Sequence, residues 1–386
     1  MTTSIVLNMS EYVSRSLSDA VLKAHQYFPV IIVTGPRQSG KSTLCRHLFP
    51  DYNYMNLEDI SLRTDAMRNP TGFLDALGEK AIIDEVQNVP EILSMIQVRV
   101  DEFHDRRYIL TGSSNFSLLR TKTQSLAGRA AIFTLLPFSL TEAKDIVDNQ
   151  STDRIITEGL YPRVIVQGSP YDLYYRGYYN TYVERDLRDL LKVKNIMSFD
   201  KFMRLLASRI GSEFNASSLA RETEVSSVTI KEWLSILMTS YIAFPLQPYS
   251  SNLSKRLTKM PKIYFYDTGL ACFLLGIENE EVLKSHQMRG PLFENLAVCE
   301  LLKRKYNEGK EPRLYFYREK SGLEVDVVAE EDGGLHLYEI KTGANLRSNY
   351  MDNMRKVSES LPGVKGSTVI YDSDGTPPLS LNIRDI

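Results

Sequence analysis

Cysteine is scarce: Cys45, Cys272 and Cys299 are the only three in 386 residues, and none belongs to a CxxC pair. This spacing excludes a disulfide framework or a structural zinc site and fits a reducing, cytoplasmic setting. Long apolar runs are missing too. The longest, FPVIIV and LACFLLGI, fall far short of the ~20 residues a membrane-spanning helix needs, so no membrane partner is expected. The first residues carry Glu11 and Asp19 in a weakly amphipathic stretch, without the apolar region of a secretory signal. Nor does either sign of charge dominate. With 46 basic and 48 acidic side chains the net charge is -2, so any contact with nucleic acid must be a local patch. Repeats and low-complexity tracts are absent. What remains is 43% hydrophobic and 24% charged, an ordinary folded composition in a chain long enough for about two or three domains.

Residues 29–35, PVIIVTG, are a continuous β-branched run, the pattern of a strand buried on both faces of a parallel sheet. GPRQSGKST follows, and then the helical LCRHLF. Strand, glycine-bounded loop and helix are the context of a phosphate-binding loop. Gly35, Pro36, Arg37, Gln38, Ser39, Gly40, Lys41, Ser42 and Thr43 are therefore the expected ATP site. The glycines let the backbone curl, and N–H groups and a helix N-terminus face the phosphates. Lys41 is expected to reach the β- and γ-phosphates and Ser42 to ligate Mg2+.

More buried strands are expected at 52–59, 80–87 and 106–115. The second ends in Asp84 and Glu85, at the strand end where ligands bind in open α/β sheets. Asp84 is read as a Mg2+ ligand through water, and Glu85 as the group that orients or deprotonates the attacking water. The competing reading is an acidic first turn of a helix. The third strand ends in Thr111, Gly112, Ser113 and Ser114. Ser113 is read as a γ-phosphate sensor, or else as part of a turn that caps the next helix. Arg129 precedes the apolar run 130–136. Phosphoryl transfer needs positive charge at the γ-phosphate, often from a neighbouring subunit, and Arg129 is the candidate for it, which implies self-association. The plain alternative is a surface arginine beside a strand.

Residues 145–200 read as helices, with Tyr182, Asp186 and Asp189 or Leu190 at helical spacing. They form either a lid, with Arg163 or Arg185 as a second phosphate sensor, or a simple amphipathic helix with local ion pairs. Residues 215–249 have a helix-turn-helix rhythm, with Val228, Trp233, Leu234 and Leu237 as the apolar face of the second helix. Ser226, Ser227, Thr229 and Lys231 would lead a recognition helix. Lys255, Arg256, Lys259 and Lys262 form a basic cluster on a candidate wing. Glu224 and Glu232 fit a protein contact instead, so DNA and an unidentified protein partner both stay open.

Near the far end, Asp332-Gly333-Gly334 signals a hairpin turn between LEVDVVA and LHLYEIK. Alternation puts Glu324 and Asp326 on one face, and Glu339 and Lys341 on one face of the partner strand. If those faces coincide, Asp326 and Glu339 can hold Mg2+, with Glu294 assisting and Lys341 beside the scissile phosphate. This pattern resembles the PD-(D/E)xK nuclease superfamily. Otherwise it is a surface ribbon with cross-strand ion pairs.

Taken in order, GPRQSGKST, AIIDEVQ, YILTGSS, SLAGR, LLPFSLTEA, GLYPR, YVERDLRDL, KIYFYDTGLACFLLG, FENLAVCEL, EVDVV and YEIKTG make nearly the whole chain resemble a family. It is the AAA-superfamily ATPases of bacteria and archaea whose C-terminal half is termed domain of unknown function 4143. The resemblance implies an α/β fold: an AAA-type P-loop NTPase core with a parallel sheet, then a helical and winged-helix segment, then an α/β restriction-endonuclease-like domain. The boundaries are expected at 1–145, 146–200, 201–285 and 286–386. The implied function is a Mg2+-dependent ATPase whose nucleotide state drives a C-terminal DNA-binding, nuclease-like module. The alternative is an ATP-gated protein-interaction switch with an inactive nuclease-like platform. One departure is Leu160, in GLYPR, where a second glycine is expected.

Overall fold

The computed structural model describes residues 12–113, 126–181, 196–250, 260–342, 351–372 and 380–386. Its first sheet holds β1 (Val30–Thr34), β2 (Asn53–Asn56), β3 (Lys80–Asp84), β4 (Arg107–Gly112) and β5 (Ala130–Thr134). All pairings are parallel, in the order β2-β3-β4-β1-β5. β1 lies inside the sheet, between β4 and β5, and is wholly buried, which explains its unbroken β-branched sequence. Its side chains alternate between two cores. Ile31 and Val33 pack with Leu17, Val21 and Leu44 from helices or their approaches on one face. Val30 and Ile32 pack with Leu74, Leu93 and Ile96 on the other.

A second sheet contains β6 (Ala243–Pro248), β7 (Lys262–Phe265), β8 (Leu314–Arg318), β9 (Glu324–Glu331), β10 (Gly334–Lys341), β11 (Val364–Tyr371) and β12 (Ser380–Asn382). Its order is β12-β11-β10-β9-β8-β6-β7. The helix Arg289–Asn307, β8, β9, β10, the helix Asp352–Ser360 and β11 follow one another, with β10 and β11 parallel. Leu335 and Leu337 pack toward the helix Asp352–Ser360, through Met354 and Val357. Tyr338 and Ile340 join the core that contains Leu292 and Leu296 of the helix Arg289–Asn307.

The helix-turn-helix pair is Ala216–Thr223 and Ser227–Thr239, capped by Asn215 and Ser226. Its buried face is Ile230, Trp233, Leu234 and Leu237. Val228 does not belong to that face: it is 63% exposed. Two residues before Ile230 means a turn of about 200° around the helix, which points Val228 outward. In the stretch expected to form a wing, β6 and β7 pair antiparallel, but β6 also pairs with β8, so the strands run on into the C-terminal sheet. Lys262 leaves the basic cluster: it is 4% exposed and faces two carboxylates. Lys255, Arg256 and Lys259 lie outside the described residues, as do Ser114, Tyr182, Arg185, Asp186, Asp189 and Leu190.

The departure at Leu160 has a simple explanation. Gly159 is left-handed (φ 69°), and a Cβ there would stand 2.1 Å from the Tyr175 hydroxyl. Leu160 is not in a left-handed conformation; its amide donates to Asp267 Oδ2 (3.0 Å) and its side chain is buried. Only the first position needs glycine.

Candidate functional sites

The phosphate loop is fixed by sterics. Gly35 has φ 146°, and a Cβ on it would lie 2.0 Å from the carbonyl oxygen of Leu135. Gly40, left-handed at φ 93°, caps the helix Lys41–Leu48. Between them Gln38 is also left-handed (φ 63°), and the Ser39 hydroxyl is buried without a hydrogen-bond partner. Lys41 is buried, and its Nζ donates to the carbonyls of Gly35 (3.1 Å) and Pro36 (2.8 Å). Burial pulls its pKa down, against the opposing pull of Glu85 and Asp84. Arg15, unread in the sequence, clamps the loop from behind. It donates to the Ser39 carbonyl (2.8 Å) and the Leu136 carbonyl (2.7 Å), and pairs with Glu142 (3.1 Å). No motif surrounds Arg15, so no local signal marks it.

Asp84 and Glu85 sit where β3 ends, separated from β1 by β4. Asp84 is 3% exposed; its oxygens accept from the Tyr54 hydroxyl (2.7 Å), the Thr111 hydroxyl and the amide of Glu85 (3.1 Å). Glu85 is left-handed (φ 54°), a strained setting for a residue with a side chain and a feature that gathers at functional sites. Its carboxylate accepts from Gln87 Nε2 and from the Ser113 hydroxyl (3.2 Å). The structure thus brings Lys41, Asp84, Glu85 and Ser113 together at one sheet edge. Ser42 is half-buried and Thr43 exposed in the first turn of the helix. Arg37 lies within 3.9 Å of Glu58 at the surface. Arg163 and Gln38 line a cavity of 440 Å³ beside the loop, with Tyr174 and Tyr178.

Arg129 is not part of this cluster. It precedes β5, whose first residue pairs with Val30, so it stands at the opposite end of the strands, ~20 Å from the loop along the strand direction. There it pairs with Asp101 (2.5 Å) and donates to the Ala127 carbonyl (3.0 Å).

The second cluster is built by the hairpin β9–β10. Asp332 (φ 49°) and Gly333 (φ 70°) form its two-residue turn, which sets the register down to Tyr338 opposite Val327. The next pair would be Glu339 opposite Asp326, and there the regular ladder ends. Asp326 Oδ2 instead accepts from the amide of Ile340 (2.8 Å). Lys341 Nζ lies 2.6 Å from Glu339 Oε1 and 3.7 Å from Asp326 Oδ2. Glu294, from the helix Arg289–Asn307, accepts from the Tyr264 hydroxyl (2.5 Å) and lies 3.4 Å from Lys262 Nζ. Lys262 Nζ also lies 2.7 Å from Glu324. All four expected residues, Glu294, Asp326, Glu339 and Lys341, meet here; Lys262 and Tyr264 are additions that spacing along the chain did not reveal.

Burial, and next Asp326, push Glu339 up to about 7 and raise Glu294 as well. Burial pulls Lys341 down, but Asp326 and Glu339 outweigh it and raise the ammonium's pKa. Glu339 Oε2 is buried without a hydrogen-bond partner. Hard oxygen donors with one lone oxygen fit a divalent cation. Among the described residues, however, no three carboxylate, histidine or cysteine groups already stand in a metal-holding arrangement. The ammonium groups occupy the carboxylates instead.

Three family models match the chain in succession: AAA domain (27–144), Domain of unknown function (DUF8612) (149–281) and Domain of unknown function (DUF4143) (289–384). The uncharacterized proteins Rv2008c of Mycobacterium tuberculosis and Mb2031c of Mycobacterium bovis are each 30% identical over 321 residues, 81% of this chain and 70% of theirs. The Walker-type ATPase paby2304 of Pyrococcus abyssi overlaps 68% of this chain and 96% of its own at 15% identity, with a TM-score of 0.44. Among the described residues no helix is long and apolar enough to cross a membrane. With its phosphate loop, its acidic pair and a second domain on a separate sheet, the chain belongs to the AAA-type ATPases that carry a C-terminal domain of unknown function 4143.

Proposed function

We propose that this chain hydrolyses ATP with Mg2+ and uses its nucleotide state to drive a C-terminal module that binds and cuts DNA. The observation that carries the ATPase reading is the convergence of Lys41, Asp84, Glu85 and Ser113 at the ends of three neighbouring strands. The phosphates would lie along the loop amides, and Lys41 would exchange two neutral carbonyls for phosphate oxygens. Ser42 and Asp84 would hold Mg2+, which neutralises phosphate charge. Glu85 would orient the attacking water and take up its proton. As the new P–O bond forms, the bond from the γ-phosphorus to the bridging oxygen breaks and its electron pair leaves with ADP. Arg129 is too far from its own loop, so it would serve a neighbouring subunit.

Two hydrogen-bonded connections support coupling to the far end. The Thr34 hydroxyl, where β1 meets the loop, lies 2.8 Å from the Tyr241 hydroxyl, which follows the candidate recognition helix. Arg15 links the Ser39 carbonyl to residues 136–142. That strap is held by Glu300 and Lys303, on the helix that also carries Glu294. At the far end Asp326, Glu339 and Glu294 would hold Mg2+, and Lys341 would stabilise charge on the phosphodiester. The contact of Lys341 with both carboxylates favours a second reading, a protein-docking platform gated by ATP.

Paired assays on purified protein separate these readings. Glu85→Gln is expected to bind ATP but lose turnover, and Lys341→Ala to lose DNA cleavage with Mg2+ or Mn2+ while keeping ATPase activity. ATP hydrolysis at the wild-type rate by Glu85→Gln would refute the role of Glu85. Wild-type protein that cuts no form of DNA would favour the docking platform.

A further inference from the structure

One of the two ammonium groups in the C-terminal cluster comes from outside the C-terminal domain. Lys262 lies on β7, within the middle family match and ahead of residue 289. Its side chain is 5% exposed, with Nζ 2.7 Å from Glu324, 3.4 Å from Glu294 and 5.5 Å from the centroid of the Phe316 ring. The backbone beneath it is held by pairing with Leu246 and by a bridge to Glu213, so the sheet fixes where the ammonium can go. A buried ion pair is a poor way to gain stability; an apolar residue beside Phe316 would pack at lower cost. Four carboxylates meet two ammonium groups here, with the exposed Arg318 guanidinium 3.3 Å from Glu324 at the rim, so carboxylates still outnumber the cations that face them. Glu339 Oε2, buried and without a partner, is an independent sign that the cluster can take another cation.

We propose that Lys262 is a tethered competitor for that cation: its ammonium occupies Glu294 and Glu324 and must release Glu294 before this carboxylate can join Asp326 and Glu339 around a metal ion. The inference rests on the reading of those three residues as metal ligands. Removing one positive charge a few ångströms from the site should tighten divalent-cation binding by at least roughly tenfold, even after screening by salt.

The test is Mn2+ titration of the full, nucleotide-free chain, followed by the paramagnetic resonance of free Mn2+. Wild type is expected to bind one Mn2+ that Asp326→Asn abolishes. Lys262→Gln should bind it at least roughly tenfold more tightly, and Lys262→Arg should resemble wild type. Unchanged or weaker binding by folded Lys262→Gln overturns the proposal, because the lysine then only props up its carboxylates. If Lys262→Gln does not fold, Lys262→Met, whose stem packs on Phe316 in the same way, replaces it with the same expectation. If wild type shows no Mn2+ site sensitive to Asp326→Asn, the metal-ligand reading fails, and this inference falls with it.

Discussion

The two candidate sites are made of different material. The phosphate loop is nine consecutive residues whose backbone does the binding, held in shape by glycines and by Arg15. The carboxylate site is made of side chains brought from β7, a helix, β9 and β10, across residues 262–341. A site made of backbone fails when its sterics are violated. A site made of clustered charge carries an electrostatic cost, so removing a charge can stabilise the fold. The largest effect should follow a violation of the first kind. Gly35→Ala drives a methyl group into the Leu135 carbonyl, at 2.0 Å in a fixed part of the sheet. The loss should be about 4 kcal/mol or more, together with nucleotide binding, seen in urea melts and by calorimetry. Stability within about 1 kcal/mol of wild type would show that the loop is far more pliant than its contacts imply.

Between the sites lies a charge pair that resembles neither. Glu300 and Lys303 are buried, 2.8 Å apart, and each also bonds the strap after β5: Glu300 accepts from the Leu140 amide (2.7 Å) and Lys303 donates to the Phe138 carbonyl (2.8 Å). Glu300→Ala leaves a buried ammonium without its counter-ion and the buried Leu140 amide without its acceptor, which should cost about 3–5 kcal/mol. Replacing both residues by methionine should cost much less, since no charge is then stranded. Comparable losses in the single and double variants would mean that the helix is held by packing alone.

Glu339 sharpens the contrast, because here the expected change is a gain. Burial and Asp326 raise its carboxyl to about 7, so between the unfolded value near 4.5 and about pH 7 the folded chain binds more protons than the unfolded one. Stability should therefore fall as pH rises through that window, and the full cost is present above it. Glu339→Gln removes the cost and should stabilise the cation-free protein by about 1–3 kcal/mol at pH 8, with little effect at pH 4.5. Added Mg2+ should narrow the gap by stabilising wild type alone. A variant less stable than wild type at pH 8 would mean that the ion pair with Lys341 outweighs the burial.

The same contrast explains what the sequence could reveal. β1 and its loop were legible because a double-faced strand needs β-branched residues and a phosphate loop needs glycine, both local demands. The hairpin was legible through Asp332-Gly333, a turn that requires two left-handed residues, and its register then places Asp326 and Glu339 side by side. Lys262 misled for a corresponding reason. Its neighbours in the chain are basic, and only the pairing of β6 with β8 carries β7 to the carboxylates. Arg15 was invisible because its partners are carbonyls of the loop and of residue 136, contacts that leave no pattern in sequence. Val228 failed on phase: one apolar residue at the start of a helix cannot reveal which way that helix is turned.

The smallest effect on stability should come from Arg129, and it bears on whether the first site is complete within one chain. Its partner Asp101 is at the surface, and exposed pairs contribute little, so Arg129→Ala should leave the melting temperature unchanged. Turnover should nevertheless fall by roughly 10³-fold or more if the guanidinium serves a neighbour's γ-phosphate. Mixing decides the matter. Arg129→Ala chains keep an intact loop but lack the guanidinium, whereas Lys41→Ala chains lack the loop but keep Arg129. Each is expected to be inactive alone, and a mixture should regain part of the wild-type rate. A mixture no more active than its components would place the arginine outside the reaction and leave the ATPase site self-sufficient in one subunit.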